Sequence, residues 1–258
     1  MRHKMILFVS LALSGWMLPS LGLADPPTSQ PSGDAQVSAL RGVLGLAPAD
    51  LSTLSVSTTQ LTAINSAVSG YLAEHGESVA ALLAAFDTAN RDLKAELMRS
   101  PKSYDPAPEA DPPTSEETLR TLKAAACATK RGAVQAARTA ILTQCATLRT
   151  AIDGQLTETQ QALLARGLGN TELDVSLKFL DLTEGQQADL KQAREARELV
   201  LYERSSRIST KRLREAAEEF ASTVDGILTE AQKTQRAAYQ AARSANQAVE
   251  QAAGATGD

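Results

Sequence analysis

The sequence is short of cysteine, histidine and aromatic residues: two Cys, two His and 3% Phe, Trp and Tyr in 258 residues. Two cysteines exclude a disulfide-stapled scaffold. Scarce aromatics beside abundant alanine argue against a β-sandwich and for helices packed through small side chains. The formal charge of −4 shows no basic excess that would point to nucleic acid. Proline is missing between Pro48 and Pro101 and again after Pro113, so long runs are free to be helical. Catalytic signatures are missing too: no Cys-x-x-Cys-His haem site, Gly-x-Ser-x-Gly elbow, Walker loop or His-Glu-x-x-His. Adjacent carboxylates such as Glu116-Glu117 and Glu218-Glu219 do not share a helix face. The expectation is a non-enzyme with no metal and no cofactor. What is present, 43% hydrophobic and 22% charged residues, suits a folded chain of one or two domains.

Residues 1–24 read as a secretory signal. Arg2 and Lys4 precede an apolar run from Met5 to Met17, and Gly22-Leu23-Ala24 offers small residues for cleavage after Ala24. No cysteine follows that site, which speaks against a lipoprotein anchor. The apolar run is shorter than the roughly 20 residues of a spanning helix. The expectation is an exported chain with no stable membrane insertion after cleavage, the alternative being an uncleaved N-terminal anchor. Cleavage would take the net charge from −4 to −6 and leave His75 as the one histidine. Residues 25–36 read as a disordered leader and 253–258 as a disordered tail.

The remainder predicts an all-α fold of long antiparallel helices. Over about 58–99, Leu61, Ile64, Val68, Tyr71, Leu72, Val79, Leu82, Phe86, Leu93 and Leu97 recur at helical steps. His75 falls on this stripe and reads as packed or partly exposed. Over about 115–153, Cys127, Val134, Ile141 and Leu148 stand seven apart, which keeps one seam toward a partner helix. Over about 184–226 the phase slips between Ile208 and Leu213, allowing a kink or a hairpin turn. A last helix spans about 230–252. Five of the ten prolines crowd into an insert at 100–113. Cys127 and Cys145 share a helix face about 27 Å apart, too far for a bond within one straight helix. Three states stay open: an antiparallel homodimer pairing Cys127 with the partner's Cys145, two buried reduced thiols, or a reversal near Gly132–Ala137 that closes an intrachain bond.

Four short segments repeat. Ile152-Asp153-Gly154-Gln155-Leu156-Thr157-Glu158-Thr159-Gln160 recurs as Val224-Asp225-Gly226-Ile227-Leu228-Thr229-Glu230-Ala231-Gln232. Leu182-Thr183-Glu184-Gly185-Gln186 is a third copy, and Val56-Ser57-Thr58-Thr59-Gln60 a looser fourth. Ser or Thr followed by Gln three residues later is a capping box, in which the hydroxyl and the Gln side chain satisfy orphan backbone donors. Thr114-Ser115-Glu116-Glu117 predicts a further box. Arg41-Gly42 and Arg166-Gly167 precede the early copies at similar distances. The pattern predicts tandem units at 37–162 and 163–252.

These Leu-Thr-x-x-Gln copies resemble the LTxxQ-motif family of bacterial periplasmic proteins, the Spy/CpxP-like group. The family carries an early L-T-x-x-Q and a later I-L-T-x-x-Q, matched here by Leu182–Gln186 and Ile227–Gln232. The resemblance implies a cradle-like homodimer in the periplasm. It also implies ATP-independent binding of unfolded clients, or envelope-stress sensing. Arg120, Lys123, Lys130, Arg131, Arg138 and Arg149, with no acid among residues 118–152, form either a client-binding basic face or a solvated helix surface. The competing expectation is a structural, oligomerising envelope protein whose stripes serve self-association.

Overall fold

The computed structural model describes residues 33–109, 113–203 and 210–254, with side chains as far as residue 245. The signal 1–24 and leader residues 25–32 lie outside them. The described residues form an all-α fold without strands. Helix α1 (Gly33–Val43) already takes up leader residues 33–36, and α2 (Pro48–Thr53) follows it. Gly45 makes the turn between them at φ +72°, a conformation glycine adopts without a Cβ penalty.

Helix α3 (Thr58–Met98) runs unbroken for 41 residues, about 60 Å. Its antiparallel partner is α4 (Glu116–Gln144). The pairing is fixed at one end by the Tyr71 hydroxyl, which donates to the Gln144 carbonyl at 2.6 Å, and toward the other by Lys130 on Asp92 at 3.1 Å. The proline-rich insert is the tip of this hairpin rather than a free linker. A 3₁₀ turn (Pro101–Tyr104) folds against α4. Tyr104 donates to the buried Glu96 carboxylate at 2.7 Å, and Thr114 to Asp105 at 2.6 Å. Residues 110–112 lie outside the described residues. At the other end α4 breaks at Cys145 and continues as α5 (Ala146–Asp153).

Helix α6 (Glu158–Gly169) and the short α7 (Val175–Lys178) lead to α8 (Glu184–Leu201), α9 (Thr210–Ile227) and α10 (Glu230–Gly254). The phase slip seen after Ile208 is a hairpin rather than a kink: α8 and α9 pack side by side, and Glu203 meets Arg212 across the turn. Ile208 itself lies outside the described residues. Helix α10 keeps its pattern into the expected tail, through residue 254.

Apolar residues gather in two clusters. The first joins Leu40, Val43, Leu44, Ile64, Val68, Ile141 and Ile152 to Leu164 of α6. The second joins Leu190, Phe220, Val224 and Leu228. The α7 segment serves both. Val175 and Phe179 enter the first cluster, while Leu173, Leu177 and Leu180 enter the second. The Phe179 ring lies so close to Gly167 that a Cβ there would stand 2.6 Å from it, so only glycine fits at that point of α6. Tyr239 of α10 stands edge-on to Phe179 at 6.2 Å and touches both clusters. The boundary expected at 162/163 therefore falls inside α6, whose Leu164 belongs to the first cluster. No described helix is long and apolar enough to cross a membrane.

Candidate functional site

All four repeated motifs open helices. Ser57, Thr157, Thr183 and Thr229 accept from the backbone N–H of Gln60, Gln160, Gln186 and Gln232 at 3.2–3.3 Å. Each glutamine carbonyl accepts in return from the cap residue's N–H at 2.9–3.1 Å. Leu156, Leu182 and Leu228, just before their caps, are buried, sealing the chain where it enters each helix.

The boxes then meet in pairs. Gln60 Nε2 donates to the Gln155 carbonyl and to Gln160 Oε1, both at 2.9 Å. Gln160 Nε2 donates to the carbonyls of Leu54 at 3.1 Å and Ser55 at 3.3 Å, and lies 3.4 Å from Gln60 Oε1. The second pair repeats this. Gln186 Nε2 donates to the Ile227 carbonyl and Gln232 Oε1, both at 2.9 Å. Gln232 Nε2 donates to the Asp181 carbonyl at 2.6 Å and to Gln186 Oε1 at 3.1 Å. Ile227 occupies the place of Gln155 in the repeat, and Asp181 that of Ser55. Each clasp ties two helix N-termini together across 100 or 46 residues of sequence. Gln161 and Gln187 add bonds to the carbonyls of Leu156 and Leu182. The sequence reading missed them, although the doublets Gln160-Gln161 and Gln186-Gln187 were visible.

The further box expected at Thr114–Glu117 is corrected by one residue. Ser115 caps α4 and accepts from the Thr118 N–H, because Thr114 is already engaged with Asp105. His75 stacks at a tilt 4.4 Å from Tyr71, one turn away on α3, and is half-exposed. Among the described residues, no group of three or more His, Cys, Asp or Glu stands where it could hold a metal ion.

Cys127 and Cys145 are free and fully buried. Helix α4 runs straight through 132–137, which removes the reversal and with it the intrachain bond. Burial also shields both sulfurs from a second chain, so the intermolecular bond would require the covering helices to part. Desolvation pushes both thiols above their usual pKa and lowers their thiolate fraction at neutral pH. An aromatic disulfide reagent is therefore expected to leave both unreacted in the native chain and to titrate both in denaturant. Fast reaction of either in the native chain would contradict the burial.

The six basic residues do not make one open face. Lys123 and Arg138 are buried. Arg138 donates to the carbonyls of Val43 at 3.1 Å and Leu168 at 3.3 Å, stitching α4 to the ends of α1 and α6. Lys130 pairs with Asp92, and Arg149 with Asp153 at 2.9 Å. Arg120 pairs with Glu116 at 2.8 Å and Glu203 at 3.4 Å. Arg131 pairs with Glu198 at 2.8 Å and Glu195 at 3.6 Å. The acids that neutralise them lie outside 118–152, where a local count of charge could not see them. Between α8 and α9 runs a cleft of about 450 Å³ walled by Ala193, Val200, Ala216 and Ile227, with Arg197 lying 4.2 Å over the Phe220 ring.

Compared with protein-family models, curated proteins and solved structures, the chain has no match.

Proposed function

We propose that this chain is an exported, ATP-independent chaperone or envelope-stress adaptor of the LTxxQ type, built from tandem units. The observation that carries the reading is the pair of clasps. The Leu-Thr-x-x-Gln copies that suggest the family come together two by two, Gln60 with Gln160 and Gln186 with Gln232, through bonds at corresponding positions. A motif that served only as a cap would need no partner copy. Each clasp fixes the base of a helical hairpin, α3 with α4–α5 and α8 with α9, and leaves the long shafts to present surface. Clients are unfolded or envelope proteins, held along those shafts, and the expected assembly is a homodimer in the periplasm.

The test is suppression of aggregation. Purified mature chain, at near-stoichiometric ratio and without ATP, should keep a chemically unfolded client from scattering light on dilution. Absent suppression, together with a stable higher oligomer in solution, would favour the structural, oligomerising alternative.

A further inference from the structure

Helix α8 lies against α4 through charged side chains. On α4, Arg120, Lys123, Cys127 and Arg131 follow at steps of three and four, so they line one stripe. None of the four belongs to either apolar cluster. Helix α8 and its end answer with Glu195, Glu198, the Tyr202 carbonyl and Glu203. Arg131 holds Glu198 and Glu195, Arg120 holds Glu203, and Lys123 Nζ reaches the Tyr202 carbonyl. Arg131 and Glu198 are 14% and 16% exposed, so water screens this pair little.

Lys123 makes the arrangement uneven. It is 2% exposed, and its one hydrogen bond, to the Tyr202 carbonyl, is 3.5 Å long. An ammonium drawn out of water onto a single long bond is poorly compensated. Burial accordingly lowers the pKa of Lys123. The closed contact thus carries a cost that separation of α8 from α4 would relieve.

We propose that this cationic stripe of α4 is a docking surface for an acidic segment of a partner polypeptide, and that α8 occupies it as an internal competitor. The contact already formed shows which chemistry the stripe accepts: carboxylates at helical spacing, with a backbone carbonyl between them. A partner segment bearing the same pattern would displace Glu195, Glu198 and Glu203 and supply Lys123 with a carboxylate. This deepens the client-binding reading above by giving the helical face a charge preference and a mask. While α8 is seated, apparent affinity is reduced by the fraction of molecules in which the stripe is free.

The test is made on the full mature chain with a fluorescein-labelled oligoglutamate peptide, read by anisotropy at low salt. Glu195→Gln combined with Glu198→Gln discharges the competitor and leaves the stripe intact. It is expected to bind the peptide about tenfold more tightly than the parent chain. That gain should vanish when Arg131→Glu or, separately, Lys123→Met is added, with helicity by circular dichroism unchanged. An oligolysine peptide should gain nothing. Unchanged oligoglutamate affinity in the double variant, or a gain that survives both added substitutions, overturns the proposal. Aggregation suppression by the parent chain, measured alongside, separates the two readings. Suppression without a peptide gain removes the acidic docking surface alone, and a peptide gain without suppression removes the chaperone reading alone.

Discussion

Lys178→Ala is expected to destabilise the fold by about 3–5 kcal/mol. Lys178 Nζ stands 2.5 Å from Asp50 Oδ1, with the two side chains 9% and 4% exposed. The pair joins α7 to α2, beside the Phe179 ring, over which Lys178 also lies at 5.1 Å. Removing the ammonium leaves a buried carboxylate without its counter-ion, which costs far more than the intact pair contributes. Replacing both members, Asp50→Leu with Lys178→Met, removes the two desolvation costs together and should return most of the loss. Urea denaturation of the two single variants and the double variant measures the cycle. A double variant no better than Lys178→Ala would show that the contact works through shape rather than charge.

The same pair carries a pH dependence. Burial pushes the Asp50 carboxyl above the usual carboxylate range, against the opposing pull of Lys178. A carboxyl whose pKa is higher folded than unfolded binds its proton more tightly in the folded state. Its contribution to stability therefore falls as pH rises from about 4 through the folded pKa. In Lys178→Ala the opposing pull is gone, so that fall should deepen. The penalty of the substitution should be smallest at the acid end of the range and largest near neutrality. A penalty independent of pH would mean that Asp50 has found another partner.

The sequence pattern reached the helices through the spacing of apolar residues and reached their starts through the capping boxes, because both signals are local. The seam Ile141, Leu148 and Ile152 is buried as its spacing predicts. What stayed hidden was pairing over distance. Nothing in Val56–Gln60 alone says that Gln60 will find Gln160. Charged residues misled for a related reason: a lysine such as Lys123 reads as solvated surface, and only the approach of α8 puts it under cover. The slip between Ile208 and Leu213 was visible as a break in phase, but periodicity measures rotation about an axis and cannot say that the axis turns back. Asp50 and Lys178, 128 residues apart, carry no local signal at all.

Gln160→Ala is expected to cost about 2–4 kcal/mol, and Gln232→Ala only about 1. The two glutamines hold equivalent places in the clasps, so their chemistry is the same and their burial differs. Gln160 is 8% exposed and satisfies the Leu54 and Ser55 carbonyls, of which the bond to Leu54 is buried. Its removal takes away the reciprocal half of the capping box and strands a carbonyl where water does not reach, and a buried unpaired acceptor costs about 1–3 kcal/mol by itself. At Gln232 the bond to the Asp181 carbonyl is exposed, and water can replace the lost amide. A double-mutant cycle on Gln60 and Gln160 should return a coupling of about 0.5–3 kcal/mol, and the same cycle on Gln186 and Gln232 a smaller one. Urea midpoints measured at a constant slope decide it. Equal, small costs at both glutamines, with no coupling across either pair, would reduce the clasps to ordinary caps and withdraw the observation on which the LTxxQ reading rests.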